Sequence, residues 1–216
     1  MLLYYITDRQ QFPGNENHHR AHLLQAISAA ARAGVDYIQL REKDLPTREL
    51  ESLSQEAVRL VRKDGGRTRL LVNSRTDVAI AAGADGVHLR SQDISPADAR
   101  SPWRISNAEK KLVVAVSCHT ESEVIEAEKA GADFVVFGPV FEKGGSDLAG
   151  IAGLRKACQH KIPVLALGGV TLDNARDCLD AGAAGIAGIR VFQEGDMVKT
   201  VAQLSSIVLD RGSDKS

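Results

Sequence analysis

The stretch that decides the fold is "ARAGVDYIQLR" at residues 31–41, because the chain repeats this phrase three more times. The other copies are "AAGADGVHLR" (81–90), "KAGADFVVFG" (129–138) and "DAGAAGIAGIR" (180–190). Their Ala-Gly pairs begin at 33, 82, 130 and 181, and a spacing of 48 to 51 residues indicates a repeat architecture. Each copy predicts the end of a helix, a glycine at its C-cap and then a short apolar strand.

A second type of strand lies between these copies. Its members are "LLYYIT" (2–7), "RLLVN" (69–73), "KLVVAVSCH" (111–119) and "IPVLALGG" (162–169). Amphipathic segments at 22–33, 47–63, 121–130 and 172–181 separate the strands. Short apolar strands that alternate strictly with helices, eight times in 216 residues, predict a single-domain (β/α)8 TIM barrel. An open doubly wound sheet would have fewer strands and no four-fold repeat of paired units.

Composition excludes several classes of protein. The chain is 44% hydrophobic and 25% charged with a formal net charge of −1, so it carries no electrostatic footprint for nucleic acid or an anionic membrane. No apolar run approaches the roughly 20 residues of a membrane helix. Three cysteines without metal-like spacing favour a reduced, cytoplasmic setting. We assign residues 1–210 to the barrel and predict a disordered tail at 211–216.

Polar residues collect where the predicted strands end, which is the active face of such a barrel. Gln39, Arg41 and Lys43 alternate along strand 2 and should share one face, with Ile38 and Leu40 towards the helices. Three polar side chains on an inner face are costly unless a ligand or partners satisfy them. A salt bridge to the neighbouring carboxylates at 42 and 44 is the structural alternative.

The other strand ends extend this candidate site. Ser117 and His119 should share a face of strand 5, while Cys118 between them should pack into the helix layer. Glycines after strands 7 and 8 predict a phosphate site, because bare amides approach an anion closely. The loop "FGPVFEKGGSDLAG" (137–150) follows strand 6 on this face. This loop either binds a phosphate through its backbone N–H groups, covers the site as a mobile lid, or is a plain flexible connection. The remaining strand-end candidates are Asn73, Ser74, His88, Asp93, Gly138, Lys143, Gly168, Gly169, Gly188 and Arg190.

Taken together, "YYITD", "QLREKD", "LLVNSRTD", "GADGVHL", "AVSCHT", "GADFVVFGPVF" and "LALGGVTLDNA" resemble the thiamine phosphate synthase/TenI superfamily from about residue 4 to 192. The resemblance implies a barrel that handles thiazole phosphate. In the synthases, a pyrimidine diphosphate loses pyrophosphate and the thiazole nitrogen captures the pyrimidine. The matching positions imply that Gln39, Arg41, Lys43 and Asn73 bind the diphosphate substrate, that Asp93 binds Mg²⁺ and that Ser117 contacts substrate.

Three departures from the synthase pattern favour a TenI-like thiazole phosphate tautomerase. Ser74 replaces a metal-binding Asp, and Arg190 replaces a small Ser. Residues 143–146 lack the Thr-x-Thr-Lys motif that binds pyrophosphate in the synthases. The tautomerase needs no metal, and His119 would move its proton. Its phosphate would lie at Gly168 and Gly169, and also at Gly188.

Two other functions remain open. One is a thiamine phosphate synthase that uses Mg²⁺, with Lys143 as the replacement cation in the strand-6 loop. The other is a regulatory protein that binds a phosphorylated ligand without catalysis. In each case the partner is a small phosphorylated molecule. Barrels of this superfamily are often dimers, so the resemblance leaves a homodimer as an expectation.

Overall fold

The computed structural model describes residues 1–64, 66–106, 111–141 and 150–213. Eight parallel strands form a closed barrel in the order β1 to β8, each paired with its neighbours in sequence and β8 paired with β1. The strands are β1 (Leu2–Ile6), β2 (Tyr37–Leu40), β3 (Arg69–Asn73), β4 (Gly86–Leu89), β5 (Val113–Cys118), β6 (Phe134–Phe137), β7 (Val164–Ala166) and β8 (Gly185–Gly188). The predicted TIM barrel is confirmed.

Helices on the outside connect successive strands. Within the described residues they are α1 (Glu16–Ala33), α2 (Thr47–Asp64), α3 (Thr76–Ala82), α4 (Pro96–Ser106), α5 (Glu121–Lys129), α6 (Gly150–Ala157), α7 (Ala175–Asp180), α8 (Arg190–Gln193) and α9 (Met197–Ser213). The first begins six residues before the predicted start, because the Asn15 side chain caps it by accepting the N–H of His18. The last continues to Ser213, and residues 214–216 of the predicted tail lie outside the described residues.

The four-fold repeat has a structural basis that joins neighbouring strands. Glycines 34 and 83 end their helices at φ values of 85° and 67°, a left-handed conformation that favours glycine. In three of the four copies, an aspartate follows the glycine by two residues, and its side chain accepts a backbone N–H from the preceding strand. These contacts join Asp36 to Leu3 at 2.8 Å, Asp85 to Leu70 at 2.9 Å and Asp133 to Val114 at 2.8 Å. The fourth copy carries alanine at the matching position, residue 184.

Two apolar layers support the strand ends. Tyr4, Tyr37 and Phe134 pack inside the barrel, with the Tyr37 and Phe134 ring centroids 4.8 Å apart. Ile38 and Leu40 lie in the outer layer between strands and helices, as predicted. Cys118 also lies in this outer layer and is fully buried, as its predicted packing role requires. Burial raises the pKa of its thiol to about 12. None of the helices in the described residues is long and apolar enough to cross a membrane.

Candidate active site

A cluster of cations occupies the strand ends on one side of the barrel. β2 ends at Leu40, so Arg41 and Lys43 lie in the loop that follows rather than in the strand. The positive charge of Arg41, then partial burial and the charge of Arg90, lower the pKa of Lys43. Within the described residues, neither Arg41 nor Lys43 forms an ion pair with a carboxylate. The charge of Asp8 opposes this shift but does not outweigh it, so the cluster favours the binding of an anion.

The carboxylates proposed as alternative partners of these cations are bound to Arg9 instead. Arg9 donates to Asp44 at 2.6 and 2.7 Å and to Glu42 at 3.2 Å. Glu42 is 1% exposed and also accepts the Thr7 hydroxyl at 2.6 Å. Thr7 in turn accepts the backbone N–H of Arg41 at 3.0 Å. This network fixes the loop that carries Arg41 and Lys43 and leaves their charges unpaired.

A chain of hydrogen bonds brings four of the predicted residues together. Gln39, which is buried, donates to Asn73 at 3.1 Å, and Asn73 donates to Ser74 at 3.3 Å. The Ser74 hydroxyl then donates to Asp93 at 2.6 Å. Ser74 adopts φ 57°, the left-handed conformation, directly after β3. The chain therefore crosses the ends of three neighbouring strands.

Asp93 is the carboxylate of this site. Partial burial raises its pKa, but hydrogen bonds from Arg90 and Ser74 outweigh this effect and hold the pKa below its usual range. Its partners Ser74 and Arg90 line a cavity of about 260 Å³, which Asp93 itself does not line. The other residues around this cavity are Leu40, Glu42, Lys43, Leu45, Leu50, Asn73 and Arg75. A carboxylate and a hydroxyl are oxygen donors that suit Mg²⁺, which takes one or two protein carboxylates and completes its shell with water and phosphate. The described residues contain no group of three His, Cys, Asp or Glu side chains that could hold a metal alone.

His88 is a site residue to which the sequence analysis gave no role. It is buried inside the barrel on β4, and burial followed by the charge of Arg41 lowers its pKa to about 3. One ring nitrogen lies 2.9 Å from the Tyr4 hydroxyl and the other 2.7 Å from the Ser117 hydroxyl. A neutral imidazole thus orients Ser117 at the end of β5.

His119 occupies a different environment from Ser117. β5 ends at Cys118, and the His119 side chain is exposed at the rim, whereas Ser117 is half-buried. Its Nδ1 lies 2.5 Å from the Gly138 carbonyl oxygen, which only accepts, so Nδ1 carries the hydrogen. The ring therefore links the end of β5 to the loop after β6.

The loop after β6 is attached to the loop after β7 by backbone contacts. The N–H groups of Val140 and Phe141 donate to Leu167 and Gly168, both at 2.8 Å. A Cβ on Gly169 would lie 1.2 Å from the Phe141 carbonyl oxygen, so this close approach requires glycine. Lys143, the predicted replacement cation, lies outside the described residues.

Backbone amides are available at the predicted phosphate site. Within the part of the chain that the structure describes, the N–H groups of Gly169 and Arg190 have no hydrogen-bond acceptor. Arg190 begins α8, a helix of four residues directly after β8, and its side chain is exposed. Loops after strands 7 and 8 with a short extra helix are a frequent phosphate site of TIM barrels. Gly188 packs against Val191, which a Cβ would approach to 2.5 Å.

A model of the family described as "Thiamine monophosphate synthase" matches residues 3–192. The chain belongs to this family. A thiamine-phosphate synthase of Clostridium novyi is 35% identical to it over 211 residues, which cover 94% of this chain and 97% of that one. Putative thiamine-phosphate synthase 2 of Aquifex aeolicus is 38% identical over 196 residues, covering 89% and 97%. Thiamine phosphate pyrophosphorylase from Pyrococcus furiosus, a solved structure, aligns with a TM-score of 0.80 at 34% identity, covering 97% and 96%.

The prediction of a thiazole phosphate tautomerase, an isomerase, is wrong. Relatives named as thiamine-phosphate synthases match this chain over most of its length. One of the solved structures that match it is named a thiamine phosphate pyrophosphorylase. Ser74 still contacts Asp93 at 2.6 Å, and Arg90 adds a cation beside Lys43 that the departures did not remove.

Proposed function

We propose that this protein is a thiamine-phosphate synthase. It transfers the pyrimidine methylene group of hydroxymethylpyrimidine diphosphate to the ring nitrogen of thiazole phosphate. The carbon–oxygen bond to the diphosphate breaks, pyrophosphate leaves with the electron pair, and a carbon–nitrogen bond forms. The observation that carries the proposal is the cluster of Arg41, Lys43 and Arg90 beside Asp93, in which Arg41 and Lys43 have no carboxylate partner among the described residues.

Negative charge develops on the leaving pyrophosphate, so fixed cations aimed at it lower the barrier. Arg41 and Lys43 supply these cations. Asp93, with Ser74 beside it, would hold Mg²⁺, which supplies further neutralisation of the diphosphate when bound. Gln39 and Asn73 present amide groups at the same strand ends, joined by a hydrogen bond, and would bind the pyrimidine.

The thiazole phosphate fits the opposite side of the barrel mouth. The free N–H groups of Gly169 and Arg190 can bind its phosphate, and the exposed Arg190 side chain adds a positive charge there. This placement puts the acceptor and the diphosphate on separate loops around one opening.

The reaction requires no proton from His119, because the nucleophile is a nitrogen lone pair. His119 instead positions the Gly138 carbonyl through its Nδ1–H. Neutral His88 positions Ser117, which would contact the substrate between the two sites. The homodimer and the cytoplasmic location stay predictions.

Replacing Lys43 tests the proposed binding site for the diphosphate. Losing a charge-assisted hydrogen bond costs about 1.5–3 kcal/mol, so Lys43→Gln should lower kcat/KM for the diphosphate substrate roughly 10- to 150-fold. Thiamine phosphate formation with Mg²⁺ and both substrates is the measurement. Lys161→Gln is the matched control, because Lys161 is exposed and precedes β7 at the opposite end of the barrel. Equal rates in the two variants would refute the assignment of the diphosphate site.

A further inference from the structure

Arg90 blocks the carboxylate that the proposed function assigns to Mg²⁺. Its Nε and Nη2 donate to Asp93 Oδ1 at 3.1 and 2.8 Å, and its backbone N–H donates to Oδ2 at 2.9 Å. Ser74 donates to Oδ2 as well, at 2.6 Å. A carboxylate has about four lone-pair sites, so these four hydrogen bonds leave no free position for a cation.

The Arg90 guanidinium is exposed to solvent and lies at the cavity beside Lys43. The Arg90 side chain is 66% exposed, whereas Asp93 is 11% exposed, so Arg90 rather than Asp93 has room to move. Arg90 lines the cavity together with Lys43 and Asn73. Its charge is also among the causes that lower the pKa of Lys43. A rotation of this exposed side chain would exchange Asp93 for an anion bound beside Lys43.

We propose that Arg90 is a diphosphate-binding residue with two positions. Without ligand it covers Asp93, and with a diphosphate in the cavity it pairs with the phosphate oxygens and uncovers Asp93. The inference rests on the proposed function, because that function places a diphosphate beside Lys43 and Asp93.

The two positions couple the binding of anion and metal. A diphosphate that attracts Arg90 opens Asp93, so the anion raises the affinity for the cation and the cation raises the affinity for the anion by the same factor. The arrangement also keeps divalent cations off Asp93 until the substrate is present.

Two separate titrations of Arg90→Gln test the exchange. Pyrophosphate alone, titrated by calorimetry, should bind at least about tenfold more weakly than to wild type, because one charge-assisted hydrogen bond is lost. Mn²⁺ alone, followed by electron paramagnetic resonance of the free ion, should bind about tenfold more tightly, because a competing cation is gone. Arg20→Gln is the matched control, since Arg20 also pairs with a carboxylate, Glu56 at 2.9 Å, but does not line the cavity. It should change both affinities less than about twofold.

The opposite changes expected in the affinities for pyrophosphate and for Mn²⁺ distinguish this exchange from a purely structural role of Arg90. If Arg90→Gln weakens both ligands, Arg90 only maintains the loop and the inference fails. If wild type binds pyrophosphate and the variant changes neither affinity, the role of Arg90 fails while the proposed function stands. If wild type neither binds pyrophosphate nor makes thiamine phosphate, the proposed function fails and the inference fails with it.

Discussion

Acidification should destabilise this barrel through His88, a buried histidine that the fold keeps neutral. Burial and the charge of Arg41 lower its pKa to about 3, whereas the histidine of an unfolded chain titrates near pH 6.5. Between these two values the unfolded state binds a proton that the folded state excludes. The stabilisation is therefore complete above pH 6.5 and is lost as the pH falls towards 3.

The size of the effect follows from the two pKa values. Between pH 7 and pH 5 the unfolded histidine becomes almost fully protonated, while folded His88 stays neutral. Linkage then predicts a loss of about 2 kcal/mol in the free energy of unfolding from this residue alone. His88→Gln should abolish that part of the loss, because an amide can still hydrogen-bond Tyr4 and Ser117 but does not titrate.

Urea denaturation at pH 7 and pH 5 measures the difference. Wild type should lose about 2 kcal/mol more than His88→Gln between the two pH values. The control, His18→Gln, changes an exposed residue in the first turn of α1 and should keep the wild-type dependence on pH. Equal losses in wild type and His88→Gln would show that His88 is protonated in the folded state, and would refute the reasoning.

Two further substitutions test the framework around the site. Arg9→Met leaves Glu42, which is 1% exposed, as an uncompensated buried charge and should lower the free energy of unfolding by about 3–5 kcal/mol. The double variant Arg9→Met/Glu42→Gln should recover part of this loss in urea denaturation, and no recovery would contradict the pairing. Gly169→Ala should destabilise by at least about 1 kcal/mol more than Gly34→Ala, because both have positive φ but only Gly169 meets a carbonyl oxygen, at 1.2 Å. Equal melting temperatures for these two variants would contradict the close approach of the two loops.

The barrel could be predicted from sequence because its signal is local and repeated. Each copy carries a glycine that ends a helix, and three copies carry an aspartate that holds the preceding strand. Strand limits were less accurate. "IPVLALGG" predicts a strand over 162–169, but β7 covers only Val164–Ala166, because Gly168 and Gly169 adopt positive φ values that end it.

Much of the candidate site also followed from position alone. Residues at strand ends converge in a barrel, so Gln39, Asn73 and Asp93 were expected near one another, and the hydrogen-bond chain through Ser74 joins them. Pairings between distant loops were not predictable. Nothing in the sequence shows that Arg9 rather than Arg41 binds the carboxylates at 42 and 44.

The choice between activities failed for a related physical reason. Substituted positions were judged one at a time, whereas an anion site depends on the total charge that several loops bring to one place. Arg90 comes from the end of β4 and supplies a cation at the cavity beside Lys43. Its contribution becomes visible only when the loops are placed in three dimensions.

The account is tested most directly by mixing the purified protein with hydroxymethylpyrimidine diphosphate, thiazole phosphate and Mg²⁺ and measuring thiamine phosphate and pyrophosphate. We predict that both products form in equal amounts, that both require the two substrates together, and that chelation of the metal stops the reaction. Absence of thiamine phosphate under these conditions, from protein whose fold is verified by circular dichroism, would contradict the proposed transferase activity.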